Sequence, residues 1–362
     1  MNVLIGKRMV GEDQPALIIA EAGVNHNGSI ALAKQLIDAA ALAGADVVKF
    51  QSFKAEEEVL ASMQTAGYQR CQAEESYLEM IRKLELSESD HCGLMGYCRE
   101  KGIMFMSTPS EGTSAEMLNR LGVEAFKIGS NDIVTLPMLE QVARYHKPMI
   151  ISRGMATREE ITQAISTIRL AGNNDIVLLH CTSSYPSKLS QLNLGAIEIL
   201  KQEFGLPVGY SDHSEGLEAP VAARLLGAVV IEKHFTLDRK LPGPDQRFSL
   251  EPEQLKLMVQ QIRHAEKLPA EEQARLKSQI DPTLIGTRDI FPTDAEIQMR
   301  AYTRKSIVAR KEILKGQQLT VENITFKRPG TGLLANQYRE ILGRIALRDI
   351  SPDEFITLEI TK

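Results

Sequence analysis

Cysteine is scarce, long apolar runs are missing, and basic charge is not in surplus. The four cysteines, Cys71, Cys92, Cys98 and Cys181, show no C-x-x-C spacing. That excludes a disulfide framework and suits a reducing, cytoplasmic compartment. No apolar stretch reaches the length of a membrane span, and M-N-V-L-I-G-K-R-M-V lacks a signal-peptide core, so a soluble chain is expected. Net charge is −5 with both signs scattered, leaving no broad face for nucleic acid. An anionic substrate would need a local cluster of Lys and Arg. What is present is a 43% apolar content, enough for a sizeable core, in 362 residues. That length suits two domains, or one large α/β barrel with an appendage.

Val3–Ile5 and Met9–Val10 flank Gly6-Lys7 and read as a hairpin that could close a barrel floor. A unit then repeats: a short β-rich apolar run with a polar ending, followed by a helical pattern. The predicted strands are Ala16–Glu21, Asp46–Phe53, Met104–Thr108, Ala125–Ser130, Met149–Ser152, Ile176–Cys181, Val208–Ser211 and Val229–His234. Helices between them include Ile30–Ala43, Ser114–Leu121, Leu136–Tyr145, Arg158–Ala171 and Leu194–Phe204, several stopping at Gly44, Gly102, Gly122 or Gly172. This predicts a (β/α)8 TIM barrel over residues 1–268, with its site at the C-terminal strand ends. An open doubly wound sheet has a similar count, but continuously apolar strands with polar tips favour closure. The segment from Lys54 to Gly102 is roughly 50 residues against typical βα loops of about 2–6, and Ala55–Glu75 is expected to form a lid. Residues 269–302 are charged and weakly periodic, which reads as a linker. Residues 303–362 form short strands with turn signals. This last module is small for an independent core, so it is expected to lean on its own barrel or on a partner subunit.

Two strands within Val208–Phe235 end in histidine. Side chains alternate along a strand, so Ser211 pairs with His213 and Glu232 with His234. As parallel neighbours they would put both imidazoles at one end, a two-histidine metal position; two unrelated packing histidines fit the same pattern. Glu21 ends the first strand and could bind a hydroxyl or move a proton, or form a mouth salt bridge. His26 and His180 read as capping or packing residues. Lys49 and Gln51 share a face of the second strand, and Lys127 lies in the fourth, before Ser130, Asn131 and Asp132. Inward lysines are costly unless they meet an anion. With Thr108, Ser130, Ser152 and Ser211 they suggest a phosphate and carboxylate cradle; a Schiff base at either lysine is the alternative. Tyr185 follows the sixth strand. Asp245 lies in a loop near His234, and Arg328 precedes a tight turn in the small module.

The stretches I-I-A-E-A-G-V-N-H-N-G, V-V-K-F-Q-S-F-K-A, F-K-I-G-S, H-C-T-S-S-Y-P, G-Y-S-D-H, I-E-K-H-F-T-L-D and K-R-P-G-T-G resemble the bacterial sialic acid synthase family, in order and over nearly the whole chain. That family includes N-acetylneuraminate and legionaminic acid synthases. The resemblance implies a TIM barrel followed by an antifreeze-like (SAF) domain, and a homodimer in which each small domain covers the partner's barrel. It implies that His213 and His234 bind a divalent ion, Mn2+ or Mg2+. Lys49, Thr108, Lys127, Ser130, Ser152 and Ser211 match positions that hold phosphoenolpyruvate. Glu21, Gln51, Tyr185 and Asp245 match positions that meet an N-acyl amino sugar or metal water, and Arg328 matches an arginine that meets the N-acyl end. Glu21 or Asp132 would manage protons.

The implied reaction condenses phosphoenolpyruvate with N-acetylmannosamine or a 2,4-diacetamido-trideoxy hexose. C3 attacks the sugar aldehyde, water adds at C2, and C–O cleavage releases phosphate. The chain departs from the family pattern at Asn131-Asp132, Arg153, Ser183 and Gln246, with Arg153 expected to add a cation near the phosphate. Competing readings are another phosphoenolpyruvate-condensing synthase of a 3-deoxy acid, a lysine-dependent aldolase, and an inactive carbohydrate-binding barrel.

Overall fold

Two strands open the chain, β1 (Val3–Ile5) and β2 (Arg8–Val10), paired antiparallel as expected. The structure is a computed structural model that describes residues 1–63 and 76–362. Eight parallel strands follow: β3 (Leu17–Gly23), β4 (Val47–Ser52), β5 (Met104–Pro109), β6 (Phe126–Ile128), β7 (Met149–Ser152), β8 (Ile176–Cys181), β9 (Val208–Asp212) and β10 (Val230–His234). Their order is β5-β4-β3-β10-β9-β8-β7-β6, and the two end strands lie against each other, so the sheet closes into the predicted TIM barrel.

Period-two alternation sorts the side chains. Leu17, Ile19, Val47, Met106, Ile150, Val177 and Leu179 point inward and pack with Val3, Ile5 and Val10, so the hairpin plugs the floor. Ile18, Ala20, Val48, Phe50, Ile128 and Ile151 point outward under the helices. Polar residues on the inward parity can therefore stand only at the opposite, C-terminal end.

The helical layer comprises α1 (Ile30–Ala43), α2 (Ala55–Glu58), α3 (Tyr77–Arg82), α4 (Glu88–Lys101), α5 (Gly112–Leu121), α6 (Leu136–Ala143), α7 (Arg158–Leu170), α8 (Ala196–Phe204), α9 (Glu218–Leu225) and α10 (Pro252–Lys267). In α1, Ser29 caps the start by accepting from Leu32 N–H, and Gly44 ends it at φ 81°, the left-handed stop read from the sequence. Of the expected lid, Ala55–Met63 is described and forms α2 with a short extension; residues 64–75 lie outside the described residues.

Residues 269–302, read from the sequence as a linker, are largely helical. They carry α11 (Ala270–Ser278), α12 (Pro282–Ile285) and most of α13 (Asp294–Thr303). Few of their apolar residues are buried. Polar ties hold them instead: Glu296 accepts from Met155 N–H and Ser183 N–H at 2.9 Å each, and the α12 carbonyls of Leu284 and Ile285 accept from Leu194 and Gly195. Such anchoring leaves no apolar stripe, which is why the periodicity was weak.

The small module pairs β11 (Ser306–Ala309) with β12 (Ile324–Lys327) antiparallel and adds α14 (Tyr338–Ile341). Elsewhere in the module, pairing is by single bridges such as Gln318 to Ile345 and Ala346 to Thr361. The module leans on its own barrel: Arg304 meets Glu160 at 2.7 Å, Lys305 meets Asp132 at 2.9 Å, and Arg328 meets Glu58 at 2.7 Å. No described helix is long and apolar enough to cross a membrane.

Candidate active site

Strand register builds the site. Glu21 lies beside Lys49 on β4 and beside His234 on β10, while Glu232 lies beside Ser211 on β9. All end up on the inward parity at the C-terminal rim, around one cavity that Thr108, Lys127, Ser130, Ser152, Tyr185, His213, Asp245 and Arg328 also line.

Two lysines share two carboxylates there. Lys49 Nζ sits 2.6 Å from Glu21 and 3.6 Å from Glu232, and donates to Thr108 Oγ1 at 2.9 Å. Lys127 Nζ donates to Ser152 Oγ at 2.7 Å and lies 3.6 Å from Glu232. Ser211 Oγ donates to Glu232 at 2.8 Å. Burial would raise Glu232, but Lys127 and then Lys49 hold it down to about 2. Burial wins at Glu21, which rises to about 7. It also pushes Lys127 below the ordinary lysine range. One carboxylate is therefore firmly ionised while the other exchanges its proton near neutrality, a separation expected of groups with different tasks.

Near Lys127 and Ser152, side chains close in over bare backbone at Gly154. A Cβ on Gly154 would stand 2.6 Å from Ser130 Oγ and 2.7 Å from Cys181 Sγ, and closer still to Ser183. Three polar side chains thus converge over bare backbone beside Lys127 and Ser152. Arg153 does not join them. It follows inward Ser152 and so takes the opposite parity, donating to His180 Nδ1 at 2.8 Å. His180 donates in turn to the Leu192 carbonyl, the packing role anticipated for it. His26 likewise caps its loop, accepting from Gly28 N–H.

His213 and His234 meet across the rim with ring centroids 5.7 Å apart. Metal–nitrogen bonds of about 2.1 Å put each ring centre about 3 Å from an ion, so one ion can bridge this separation. His213 Nδ1–H donates to the Thr182 carbonyl at 2.9 Å, leaving Nε2 with its lone pair. His234 Nδ1 is buried without a hydrogen bond. Burial lowers both rings, keeping them neutral as ligands must be. Among the described residues no group of three or more His, Cys, Asp or Glu is arranged around an ion, so water and substrate oxygens would complete the coordination. The pair fits a divalent cation. Tyr185 packs against His213 at 4.3 Å between centroids.

Asp245, Gln51 and Glu21 converge around Gly23: a Cβ there would lie 3.3–3.6 Å from all three side chains. Burial raises Asp245 to about 6. Asp132 lines the cavity too, but Lys305, Thr135 and Asn131 occupy its oxygens. Gln246 is structural, bridging the Asn25 carbonyl and Thr236.

Residues 36–274 match the NeuB family, and residues 304–359 match the SAF domain. The chain belongs to the NeuB family. It is similar to the N,N'-diacetyllegionaminic acid synthase of Legionella pneumophila, 43% identical over 339 residues that cover 92% of this chain and 91% of that protein. The enzyme of the same name from Campylobacter jejuni is 43% identical over 344 residues, covering 94% and 98%. The crystal structure of the spore coat polysaccharide biosynthesis protein SpsE from Bacillus subtilis superposes with TM-score 0.83 at 38% identity, covering 100% of this chain and 99% of that one. As a NeuB-family protein the chain is a transferase, a phosphoenolpyruvate-condensing nonulosonic acid synthase.

Two acidic cavity residues escaped the sequence reading as site candidates. Glu232 carried a usable signal, its alternation with His234. Glu58 carried none, because A-E-E-E at a helix start looks like a solvated face. Both line the NeuB cavity.

Proposed function

We propose that this chain condenses phosphoenolpyruvate with a 2,4-diacetamido-trideoxy hexose to give a legionaminic-type acid and phosphate. One observation carries the choice of sugar. The cavity lining includes an apolar cluster, Val24, Phe53, Tyr77, Met80, Ile81 and Leu84, a surface suited to a deoxygenated C6. N-acetylmannosamine would set a hydroxyl against that largely apolar surface. The two relatives at 43% identity, both named for the diacetylated acid, support the same choice.

Lys49 and Lys127, with Thr108, Ser130, Ser152 and Ser211, would hold the carboxylate and phosphate of phosphoenolpyruvate by charges already in place. Glu21 would take up the proton when water adds at C2, since its carboxyl titrates near neutrality. Asp132, tied to Lys305, would serve closure of the small module. Gln51, Asp245 and Tyr185 would orient the sugar chain, and Arg328 its acyl end. His213 and His234 would hold Mn2+ or Mg2+. When bound, that ion supplies Lewis acidity at the aldehyde oxygen. Exchange of small modules within a homodimer would present the same Arg328 and Lys305 contacts from a second copy.

A panel of amino sugars with phosphate release as readout tests this. The diacetamido-trideoxy hexose should exceed N-acetylmannosamine in kcat/KM by about 10²-fold, the discrimination that an apolar pocket achieves against an added hydroxyl. Exhaustive chelation should abolish turnover and added Mn2+ restore it. Preference for N-acetylmannosamine would reject the sugar, and full activity without metal would reject the histidine site.

A further inference from the structure

The residues assigned so far leave Glu58 unused. It ends α2, its side chain is only 5% exposed, and it lines the cavity beside Tyr77, Met80 and Arg328. Oε1 receives Arg328 Nη2 at 2.7 Å, whereas Oε2 is buried and has no hydrogen bond. A buried carboxylate oxygen left unbonded is costly, and its residue lines the cavity that the sugar would fill.

Backbone pairing sets this arrangement in advance. Arg328 N–H donates to the Glu58 carbonyl and Leu60 N–H donates to the Arg328 carbonyl, both at 2.9 Å, with Val59 bridging Arg328 in parallel. Burial would raise Glu58, but Arg328 and then Lys305 keep it below the ordinary carboxyl range, so it stays an acceptor. A guanidinium donor and a carboxylate acceptor thus stand side by side. That is the complement of a secondary amide, which offers one carbonyl acceptor and one N–H donor.

We propose that Glu58 and Arg328 together read one acylamino group of the sugar, Glu58 Oε2 receiving its N–H and Arg328 donating to its carbonyl. Glu58 is then a specificity-determining residue that selects a secondary amide over an ester or a tertiary amide at that position. The inference rests on the N-acyl amino sugar reading above.

The test pairs one substitution with one substrate change. Each acetamido N–H of the sugar is replaced in turn by N–CH3, and kcat/KM is measured for wild type and Glu58→Leu. In wild type, one of the two analogues should lose on the order of 10- to 100-fold, the usual worth of a hydrogen bond to a charged group. In Glu58→Leu that same analogue and the parent sugar should differ less than threefold, with KM for phosphoenolpyruvate unchanged. A merely structural role would weaken both sugars alike and leave their ratio as in wild type. Equal ratios in the two proteins for both analogues overturn the inference while leaving the reaction intact. Wild type that turns over no N-acyl amino sugar with phosphoenolpyruvate overturns the reaction and, with it, this reading of Glu58.

Discussion

Lys127→Met is expected to lower kcat/KM for phosphoenolpyruvate by about 10²- to 10³-fold, the loss seen when one preorganised charge is removed from a developing anion. Nζ of Lys127 lies within the cavity between Ser152 and Glu232, and no other described cation donates to Ser152. Methionine keeps most of the volume, so the barrel should still close. Its stability should fall by about 3 kcal/mol, because Glu232 loses one of its two cationic partners in a buried setting. The pH dependence has a defined sign. Glu232 is depressed to about 2 from an ordinary 4.5, so its pairing stabilises the fold above pH 4.5 and is lost as pH falls toward 2. Without Lys127 the folded-state value rises, and acid unfolding should begin at higher pH. Urea titrations across that window would check this. Unchanged turnover and unchanged acid unfolding would remove Lys127 from the site.

Gly154→Ala is expected to cost about 10²-fold or more in kcat/KM for phosphoenolpyruvate, while direct binding of the sugar is nearly unaffected. The added carbon would intrude on Ser130, Cys181 and Ser183 at once, and the backbone around Gly154 is held by Glu296 at Met155 N–H. The neighbours must shift, and a misplacement of about 1 Å is enough for a loss of that size. Steady-state kinetics in phosphoenolpyruvate, beside calorimetry with the sugar alone, would separate the two substrates. Equal losses for both would mean that Gly154 serves general packing.

Most of the rim was legible because barrel strands obey a period of two. Once Lys49 was set inward, Gln51 followed; once Ser211 was, His213 did, and Glu232 and His234 repeated the pattern on the next strand. The same parity shows why Arg153 departs from its expected place: one step past Ser152, it must face outward to His180. Contacts that cross between modules left no local trace. Lys305 and Asp132 lie far apart in sequence, and neither neighbourhood announces a buried ion pair. Glu58 looked like any acid in a helical first turn until the backbone pairing with Arg328 drew it inside. The helices of 269–302 were missed for the related reason that hydrogen bonds such as those of Glu296, not an apolar face, hold them down.

The most direct measurement uses phosphoenolpyruvate carrying 18O in the bridging position, incubated with the diacetamido-trideoxy hexose and Mn2+. If lysines grip the phosphate while water adds at C2, the label leaves in inorganic phosphate and the nonulosonic acid contains none. Label retained in the acid would mean cleavage of the P–O bond, and the roles given to Lys49, Lys127 and Glu21 would be wrong.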